Sequence, residues 1–223
     1  MRKLKTLNII MVILNVLLIF FLITKLFFFS PPNSNDIWKS SKDSVFVINV
    51  YKDDTKVSSA TSFMIDDMGH ILTNKHVVEE DNTTIYVDIF DKEYLATIID
   101  ISEKYDIALL VCDYKTSNYL KLNDKNLLVG DTVYTIGNPN GIGLAFEEGI
   151  ISAPKKNLII DNESFLVLQT NMVLNEGNSG GPILNAYGEV VGIVSFRLRD
   201  NIGNVLDGMS FGYASHEILE LID

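Results

Sequence analysis

The sequence predicts an all-β protein of two six-stranded antiparallel β-barrels with a short C-terminal helix, preceded by one N-terminal transmembrane helix. Three observations predict this fold. An apolar run extends from Leu7 to Phe29, short β-branched and aromatic segments follow one another from Val45, and helix signals are nearly absent before Ser215. Because 47% of the 223 residues are apolar, the chain can bury a sizeable core.

The N-terminal segment, residues 1–29, is predicted to be a basic cytoplasmic flank followed by a membrane anchor in 7–29. Its apolar run of about 22 residues would form about 33 Å of helix, enough to cross a hydrocarbon core of about 30 Å. Lys25 lies near the far end, where its ammonium can reach the interface. A cleaved signal peptide is the alternative, but residues 27–32 contain no A-x-A-like cleavage site. The basic flank predicts a single-pass protein of the cell membrane, with its N-terminus in the cytoplasm and the remainder outside.

Residues 30–44 are predicted to be a short linker, since Pro31 and Pro32 break the helix and polar residues follow. Trp38 is the exception in this segment. Three positions are open for it: at the membrane interface, over an edge of a barrel, or against a neighbouring subunit.

Residues 45–223 are predicted to form one domain of short strands in two units. The first unit comprises Val45–Tyr51, Ser59–Ile65, Ile71–Thr73, Thr84–Phe90, Tyr94–Ile101 and Ile107–Val111. The second comprises Thr132–Ile136, Phe146–Ser152, Leu158–Ile160, Phe165–Thr170, Pro182–Leu184, Val190–Phe196 and Ser210–Tyr213. Ser215 is predicted to cap a final helix, His216–Ile222. The two units show no obvious repeat in sequence.

Composition excludes several classes of function. A net charge of −11 argues against nucleic acid as a partner, because such proteins present a basic face. The single cysteine, Cys112, cannot form an internal disulfide and is predicted to be a buried structural thiol. His, Cys and Glu residues show no metal-ligand spacing, and the chain has no glycine-rich phosphate motif, so no metal and no cofactor are predicted.

A candidate nucleophile lies in the segment 175–182, Asn-Glu-Gly-Asn-Ser-Gly-Gly-Pro. Ser179 stands between glycines on a tight turn, so its hydroxyl can be exposed and a peptide carbonyl can approach closely. The N–H groups of Gly177 and Ser179 are the predicted oxyanion donors. An ordinary loop of the same composition is the alternative interpretation.

A serine hydroxyl needs a general base, itself oriented by a third group. His76 follows an apolar segment, and Asp106 directly precedes the apolar run 107–111. The order His, Asp, Ser is that of the chymotrypsin arrangement and differs from that of subtilisin and of the α/β-hydrolases. His76, Asp106 and Ser179 are therefore the candidate triad.

Five motifs together resemble the protease domain of the HtrA (DegP/DegS-type) serine proteases, within the trypsin-like superfamily. They are Thr73–Val78 (TNKHVV), Asp106–Leu109 (DIAL), Ile136–Pro139 (IGNP), Gly177–Pro182 (GNSGGP) and Gly188–Ile193 (GEVVGI). The resemblance extends over roughly Val45 to Ile222. It implies two barrels with the triad at their junction and a membrane-anchored serine endopeptidase that acts on extracytoplasmic polypeptides, in protein quality control or regulated processing. A low-turnover binding or chaperone-like module with the same fold is the alternative.

The resemblance also implies a substrate site. Ser195, Phe196 and Arg197 are expected to pair with the substrate as an added strand, with Val173 and Gly208 near the primary pocket. Val173 carries no acid, so a small or aliphatic residue before the scissile bond (the P1 residue) is expected.

The chain departs from the family pattern at three points. Arg197 stands where a small residue is common and Glu176 where proline is usual, and the sequence ends at Asp223 without the PDZ domain that often follows. Regulation through a PDZ domain is therefore not expected. Many HtrA proteases form trimers, so a homotrimer is a further expectation.

Overall fold

The computed structural model describes residues 2–28, 32–160, 163–199 and 202–222. The chain divides into two units, one up to Pro32 and one from Asn33 onward. Met1, Phe29, Ser30 and Pro31, which belong to the predicted anchor and linker, lie outside the described residues.

The first unit is helix α1, Arg2–Phe28. The segment Lys5–Lys25 has a mean hydropathy of 2.8 and, by length and composition, is long enough to cross a membrane. Two of its polar side chains bond back to the helix: Asn15 Nδ2 donates to the Met11 carbonyl at 2.9 Å, and Thr24 Oγ1 to the Phe21 carbonyl at 2.8 Å. These bonds satisfy groups that would otherwise be costly in an apolar medium.

Helix α2, Ser34–Ser41, occupies the segment for which a linker was predicted, and a 3₁₀ turn follows at Lys42–Ser44. The Asn33 side chain caps the helix by accepting the Asp36 N–H at 3.1 Å. Ile37 is only 1% exposed and packs in the core, so the folded unit begins before Val45. The Trp38 ring meets the edge of Phe146 at 6.0 Å, so Trp38 covers part of a barrel.

The first barrel is closed by six antiparallel strands in the order β1-β2-β3-β6-β5-β4. Its strands are β1 Val45–Lys52, β2 Thr55–Met64, β3 His70–Thr73, β4 Thr84–Ile89, β5 Lys92–Ile101 and β6 Ala108–Cys112. A four-residue helix, α3 (Lys75–Val78), directly follows β3. The six predicted strands of this unit are confirmed, with shifted ends.

The second barrel is also closed, in the order β10-β11-β12-β9-β8-β7. Its strands are β7 Thr132–Gly137, β8 Ala145–Ile160, β9 Glu163–Thr170, β10 Pro182–Leu184, β11 Val190–Arg199 and β12 Val205–Ala214. A 3₁₀ turn, Pro139–Gly141, lies between β7 and β8, and helix α4, Ser215–Ile222, follows β12. The two barrels share one connectivity, so the fold repeats although the sequence does not.

One strand of the second barrel is longer than predicted. The segments Phe146–Ser152 and Leu158–Ile160 belong to the single strand β8. Irregular register between Ile151 and Lys156 lets the strand bend while it stays paired with β9. The prediction of two strands was wrong because Pro154 resembles a turn residue, whereas a bulge accommodates it.

Among the described residues, buried side chains form three clusters, one within each barrel and one shared by both. The shared cluster includes Phe63 and Leu72 from the first barrel and Ile136 and Ile193 from the second. Cys112 is buried in the first barrel, where burial raises the pKa of its thiol, as expected of a structural cysteine. The junction between the barrels is therefore a packed interface.

Candidate active site

His76 is positioned by the junction between β3 and α3. Asn74, fully buried, precedes α3, and its Nδ2 donates to the main-chain carbonyl of Asp106 at 2.7 Å. This bond holds the start of the helix against the segment that enters β6. The side chain of the adjacent Val77 is buried in the first barrel and fixes the orientation of the turn. His76 is thus presented at the barrel surface next to Asp106.

Asp106 accepts two hydrogen bonds from His76. The His76 main-chain N–H donates to Oδ1 at 2.9 Å, and ring Nδ1 lies 2.7 Å from Oδ2. Because an ionised carboxylate can only accept, Nδ1 carries the proton and Nε2 is left as the basic atom of the neutral ring. The hydrogen bond to Asp106 raises the pKa of His76. Burial of Asp106 favours its neutral form, but the bonds from His76 outweigh this effect and lower the pKa of Asp106.

Ser195, in β11 of the second barrel, also contacts this carboxylate. Its Oγ donates to Asp106 Oδ2 at 2.5 Å. The Ser195 main-chain carbonyl accepts the hydroxyl of Ser179 at 3.1 Å. Ser195 therefore contacts two of the three predicted catalytic residues, one through its side chain and one through its main chain.

Ser179 lies in the turn before β10, within a cleft of about 350 Å³. The cleft is lined by His76, Leu174, Asn175, Glu176, Ser179, Val194, Ser195, Phe196 and Arg197. The Ser179 carbonyl accepts the main-chain N–H of Thr61 in β2 at 2.9 Å, which joins this turn to the first barrel. The predicted nucleophile and the predicted base thus border the same cleft.

Gly177 adopts a left-handed conformation, with φ of +93°. A Cβ at this position would lie 2.1 Å from the Asn138 carbonyl oxygen, so the turn has room for glycine alone. The N–H groups of Asn178, Gly180 and Gly181 donate to main-chain carbonyls. Within the described part of the chain, the N–H groups of Gly177 and Ser179 donate to none.

Neighbouring bonds orient those two N–H groups. The Glu176 carbonyl accepts the Asn140 N–H at 2.6 Å, and the Asn178 carbonyl accepts the Gly181 N–H at 3.0 Å. In a trans peptide the C=O and N–H point in opposite directions. The Gly177 N–H therefore points away from Asn140, and the Ser179 N–H points away from Gly181.

Ser195, Phe196 and Arg197, three of the five predicted substrate-binding residues, line the cleft. Among the described residues that line it, neither Val173 nor Gly208 occurs. Val173 is 52% exposed beside Leu174, which does line the cleft, and Gly208 has a φ of +70°.

Arg197 bonds to other residues of the cleft lining. Its Nη1 donates to the Leu174 carbonyl at 2.7 Å and approaches Asn175 Oδ1 at 3.4 Å. The guanidinium therefore connects β11 to residues 174–175, which also line the cleft.

Sequence reasoning missed two residues that contact the Ser179 turn, Thr61 and Asn140. Thr61 Oγ1 donates to the Gly177 carbonyl at 2.6 Å. Nothing local in the sequence distinguishes Thr61 from other strand threonines. Asn140 has a φ of +55° in an Asn-Pro-Asn-Gly segment, a turn signal that could have identified an ordered loop.

Comparison with known proteins adds independent findings. The model of the Trypsin-like peptidase domain family matches residues 60–193. A probable periplasmic serine endoprotease, DegP-like, of Chlamydia pneumoniae is 37% identical over 167 residues, which cover 73% of this chain and 33% of that protein. A protein of the same description from Pseudomonas fulva is 38% identical over 169 residues, which cover 74% of this chain and 34% of that protein.

Solved structures give the same result. The HtrA-type protease AlgW with a tripeptide superposes with a TM-score of 0.74 at 27% identity, covering 85% of this chain and 62% of that one. The serine endoprotease from Yersinia pestis superposes with a TM-score of 0.69 at 28% identity, covering 86% of this chain and 65% of that one. The chain spans about a third of the length of the curated relatives it matches.

Proposed function

The chain belongs to the trypsin-like peptidase family and resembles its HtrA-type members, and from this premise we propose that it is a membrane-anchored serine endopeptidase. Its substrates are extracytoplasmic polypeptides, cleaved in protein quality control or regulated processing. The observation that carries the proposal is the His76–Asp106 pair on the rim of the cleft that also contains Ser179.

In the proposed reaction the Ser179 hydroxyl first rotates away from the Ser195 carbonyl toward His76 Nε2. As Oγ bonds to the scissile carbonyl carbon, His76 takes its proton. The C–N bond then breaks, and the leaving amine receives that proton. His76 next deprotonates a water that attacks the acyl ester, and the proton returns to Ser179. Asp106 orients the ring and stabilises the imidazolium throughout.

The proposed oxyanion donors are the N–H groups of Gly177 and Ser179. Two features support this role: neither group has a partner within the described part of the chain, and neighbouring bonds hold the flanking peptides. Donors fixed in this way stabilise developing charge without reorganising during the reaction.

The proposed substrates carry a small or aliphatic P1 side chain. Leu174, Val194 and Phe196 give the cleft an apolar part, and the bond from Arg197 to the Leu174 carbonyl is proposed to limit its width. The guanidinium also favours an acidic side chain nearby in the substrate. Val173 and Gly208 remain proposed contacts near the primary pocket, and the edge of β11 at 195–197 is the proposed partner of an added substrate strand.

Helix α1 is the proposed anchor, with its basic N-terminus in the cytoplasm and the folded domain outside. The periplasmic relatives support an extracytoplasmic site of action. We expect resistance to extraction by alkaline carbonate, and digestion of the domain by protease added to spheroplasts, in which the outer face of the cell membrane is accessible. Protection of the domain in sealed spheroplasts would contradict this orientation.

Assembly as a homotrimer is also proposed, by analogy with HtrA proteases. Light scattering in detergent should then give three times the monomer mass after subtraction of the micelle. A monomer at all concentrations would contradict this proposal.

One observation favours the alternative of a low-turnover binding module. The Ser179 hydroxyl donates to the Ser195 carbonyl at 3.1 Å, which occupies the proton that His76 would accept. If this arrangement persists when a peptide binds, the cleft holds polypeptide without cleaving it.

A fluorophosphonate probe, which forms a covalent bond only with an activated serine, separates the two functions. The full chain in detergent micelles should be labelled, Ser179→Ala should not, and the exposed control Ser164→Ala should react as the wild type does. A folded wild-type protein that binds unfolded polypeptide but resists the probe would establish the binding module instead.

A further inference from the structure

Thr61 links the first barrel to the turn that carries Ser179. It lies in β2, is fully buried, and is far from Gly177 and Ser179 in the sequence. Its main-chain N–H donates to the Ser179 carbonyl at 2.9 Å, and its Oγ1 donates to the Gly177 carbonyl at 2.6 Å. One residue of the first barrel thus bonds the carbonyls of both proposed oxyanion donors.

The Thr61 hydroxyl also accepts a hydrogen bond. The main-chain N–H of Asn138 donates to Oγ1 at 2.9 Å. Asn138 begins the loop that contains Asn140, and the Asn140 N–H holds the Glu176 carbonyl at 2.6 Å. Within that loop, the Gly143 N–H donates to Asn138 Oδ1 at 2.8 Å, which ties the loop to its own start.

These bonds constrain the peptide groups on both sides of Gly177. The Thr61 hydroxyl holds the carbonyl of the peptide that follows Gly177, and through Asn138 it positions the loop that holds the peptide preceding it. Since the Gly177 N–H belongs to the preceding peptide, its direction depends on both contacts. Glycine resists such reorientation less than any other residue, so the constraint must come from these neighbours.

The position of the hydroxyl is itself fixed from the first barrel. Thr73 Oγ1 in β3 donates to the Thr61 carbonyl at 2.8 Å. The branched Cβ of threonine restricts the side-chain rotamer, so the hydroxyl is held toward the second barrel. The contact is therefore a rigid bridge between barrels.

We infer that Thr61 is a positioning residue for the oxyanion site, holding the Gly177 N–H in its productive direction from across the barrel junction. This inference rests on the proposed function. Thr61 does not touch the substrate and acts through Gly177 and Asn138. Its hydroxyl is required for the rate of the covalent step and not for the binding of substrate.

The experiment measures fluorophosphonate labelling of the full chain in detergent, resolved into the maximal rate constant and the half-saturating probe concentration. The probe's phosphoryl oxygen occupies the oxyanion position as the bond to Ser179 forms. Thr61→Val, which keeps the shape and removes the hydroxyl, should lower the rate constant about 10- to 100-fold, with half-saturation within about 3-fold of wild type.

Two further variants separate hydrogen bonding from packing. Thr61→Ser keeps the hydroxyl, so its labelling rate constant should stay within about 3-fold of wild type. Thr61→Ala lacks the hydroxyl, so its rate constant should be lowered as much as that of Thr61→Val. If Thr61 acted through packing alone, the labelling rate constant would instead decrease in the order Thr61→Val, Thr61→Ser, Thr61→Ala. The control Ser62→Ala removes a neighbouring buried hydroxyl that bonds the Phe46 carbonyl within the first barrel, and its rate constant should match wild type.

The outcomes distinguish the two proposals. A wild-type chain that is not labelled at Ser179 would overturn the proposed function. A labelled wild type with an equally fast Thr61→Val or Thr61→Ala would overturn the inference alone. The pH at which labelling is half-maximal should be unchanged in Thr61→Ser and Thr61→Ala, because the His76–Asp106 pair is intact in both.

Discussion

Asp106 holds His76 at two points, through the main-chain N–H at 2.9 Å and through ring Nδ1 at 2.7 Å. The first bond fixes the residue and the second fixes the ring, so the ring cannot rotate without losing a charge-assisted hydrogen bond. Ser195 occupies a further lone pair of the same carboxylate. The tautomer of His76 is therefore set by the bond between Nδ1 and Asp106, and the other two bonds hold His76 and Asp106 in place.

The raised pKa of His76 predicts the acid limit of activity. Only the neutral ring can accept the Ser179 proton, so labelling should decline as the pH falls, with its midpoint above 6.5. In Asp106→Asn the midpoint should move down, and the rate should fall about 10⁴-fold because the favoured tautomer is lost. The measurement is labelling rate against pH for both proteins. An unchanged midpoint in the variant would refute the assigned cause of the shift.

Gly177→Ala should remove labelling because of both its conformation and its contacts. The new Cβ would lie 2.1 Å from the Asn138 oxygen, and φ is +93°. Gly130 is a matched control, with a φ of +92° and no atom within 4 Å of an added Cβ. Gly130→Ala should lose about 1 kcal/mol of stability through backbone strain alone and keep its labelling rate. Equal loss of labelling in both variants would show that the contact with Asn138 is unimportant.

Arg197→Ala should broaden the choice of P1 residue. Its removal eliminates the bond to the Leu174 carbonyl, which is proposed to limit the width of the cleft. The ratio of kcat/KM for peptides with alanine at P1 to that for peptides with phenylalanine at P1 should fall about 10-fold. Mass spectrometry of a cleaved peptide mixture measures this ratio. Lys125→Ala, an exposed cation outside the cleft lining, should leave the preference as it is. An identical cleavage profile in Arg197→Ala would show that Arg197 does not determine the P1 preference.

Glu217→Gln should stabilise the folded domain above pH 4.5. Glu217 is 3% exposed, its Oε1 is 3.0 Å from His216 Nε2, and Oε2 has no partner within the described residues. Burial raises the pKa of the carboxyl, so the unfolded chain ionises first and stability falls as the pH rises past 4.5.

Glutamine removes that dependence and should add about 1 kcal/mol at pH 8. Thermal unfolding at pH 4.5 and 8 measures the difference. The exposed Glu220→Gln, on the same helix, is the control and should change little. A gain that is equal at both pH values would argue against ionisation as its cause.

The two barrels could be predicted because each strand carries a local signal. β-branched and aromatic residues alternate with turn residues such as the Asp66–Gly69 segment, and the strands follow this pattern. The order of His76, Asp106 and Ser179 in the sequence identified them as candidates, and in the structure His76 and Ser179 line one cleft while Asp106 bonds to His76.

Other features were beyond such reasoning because their causes are not local. Helix α2 has only two apolar residues, Ile37 and Trp38, and it forms because they pack on the barrels. The contact of Thr61 with Gly177 joins residues 116 positions apart. The resting bond from Ser179 to the Ser195 carbonyl depends on the register of β11, which no motif specifies.

The shared connectivity of the barrels also sets when the cleft comes into existence during synthesis. All six strands of the first barrel precede β7 in the sequence, so His76 and Asp106 can be paired before the second barrel is synthesised. The second stays open until β12 fills the gap between β11 and β9. Because Ser195 and Arg197 of the cleft lining lie on β11, a nascent chain contains His76 long before the lining of the cleft is complete. The cleft of the proposed peptidase is therefore complete only when the last strand of the second barrel is in place.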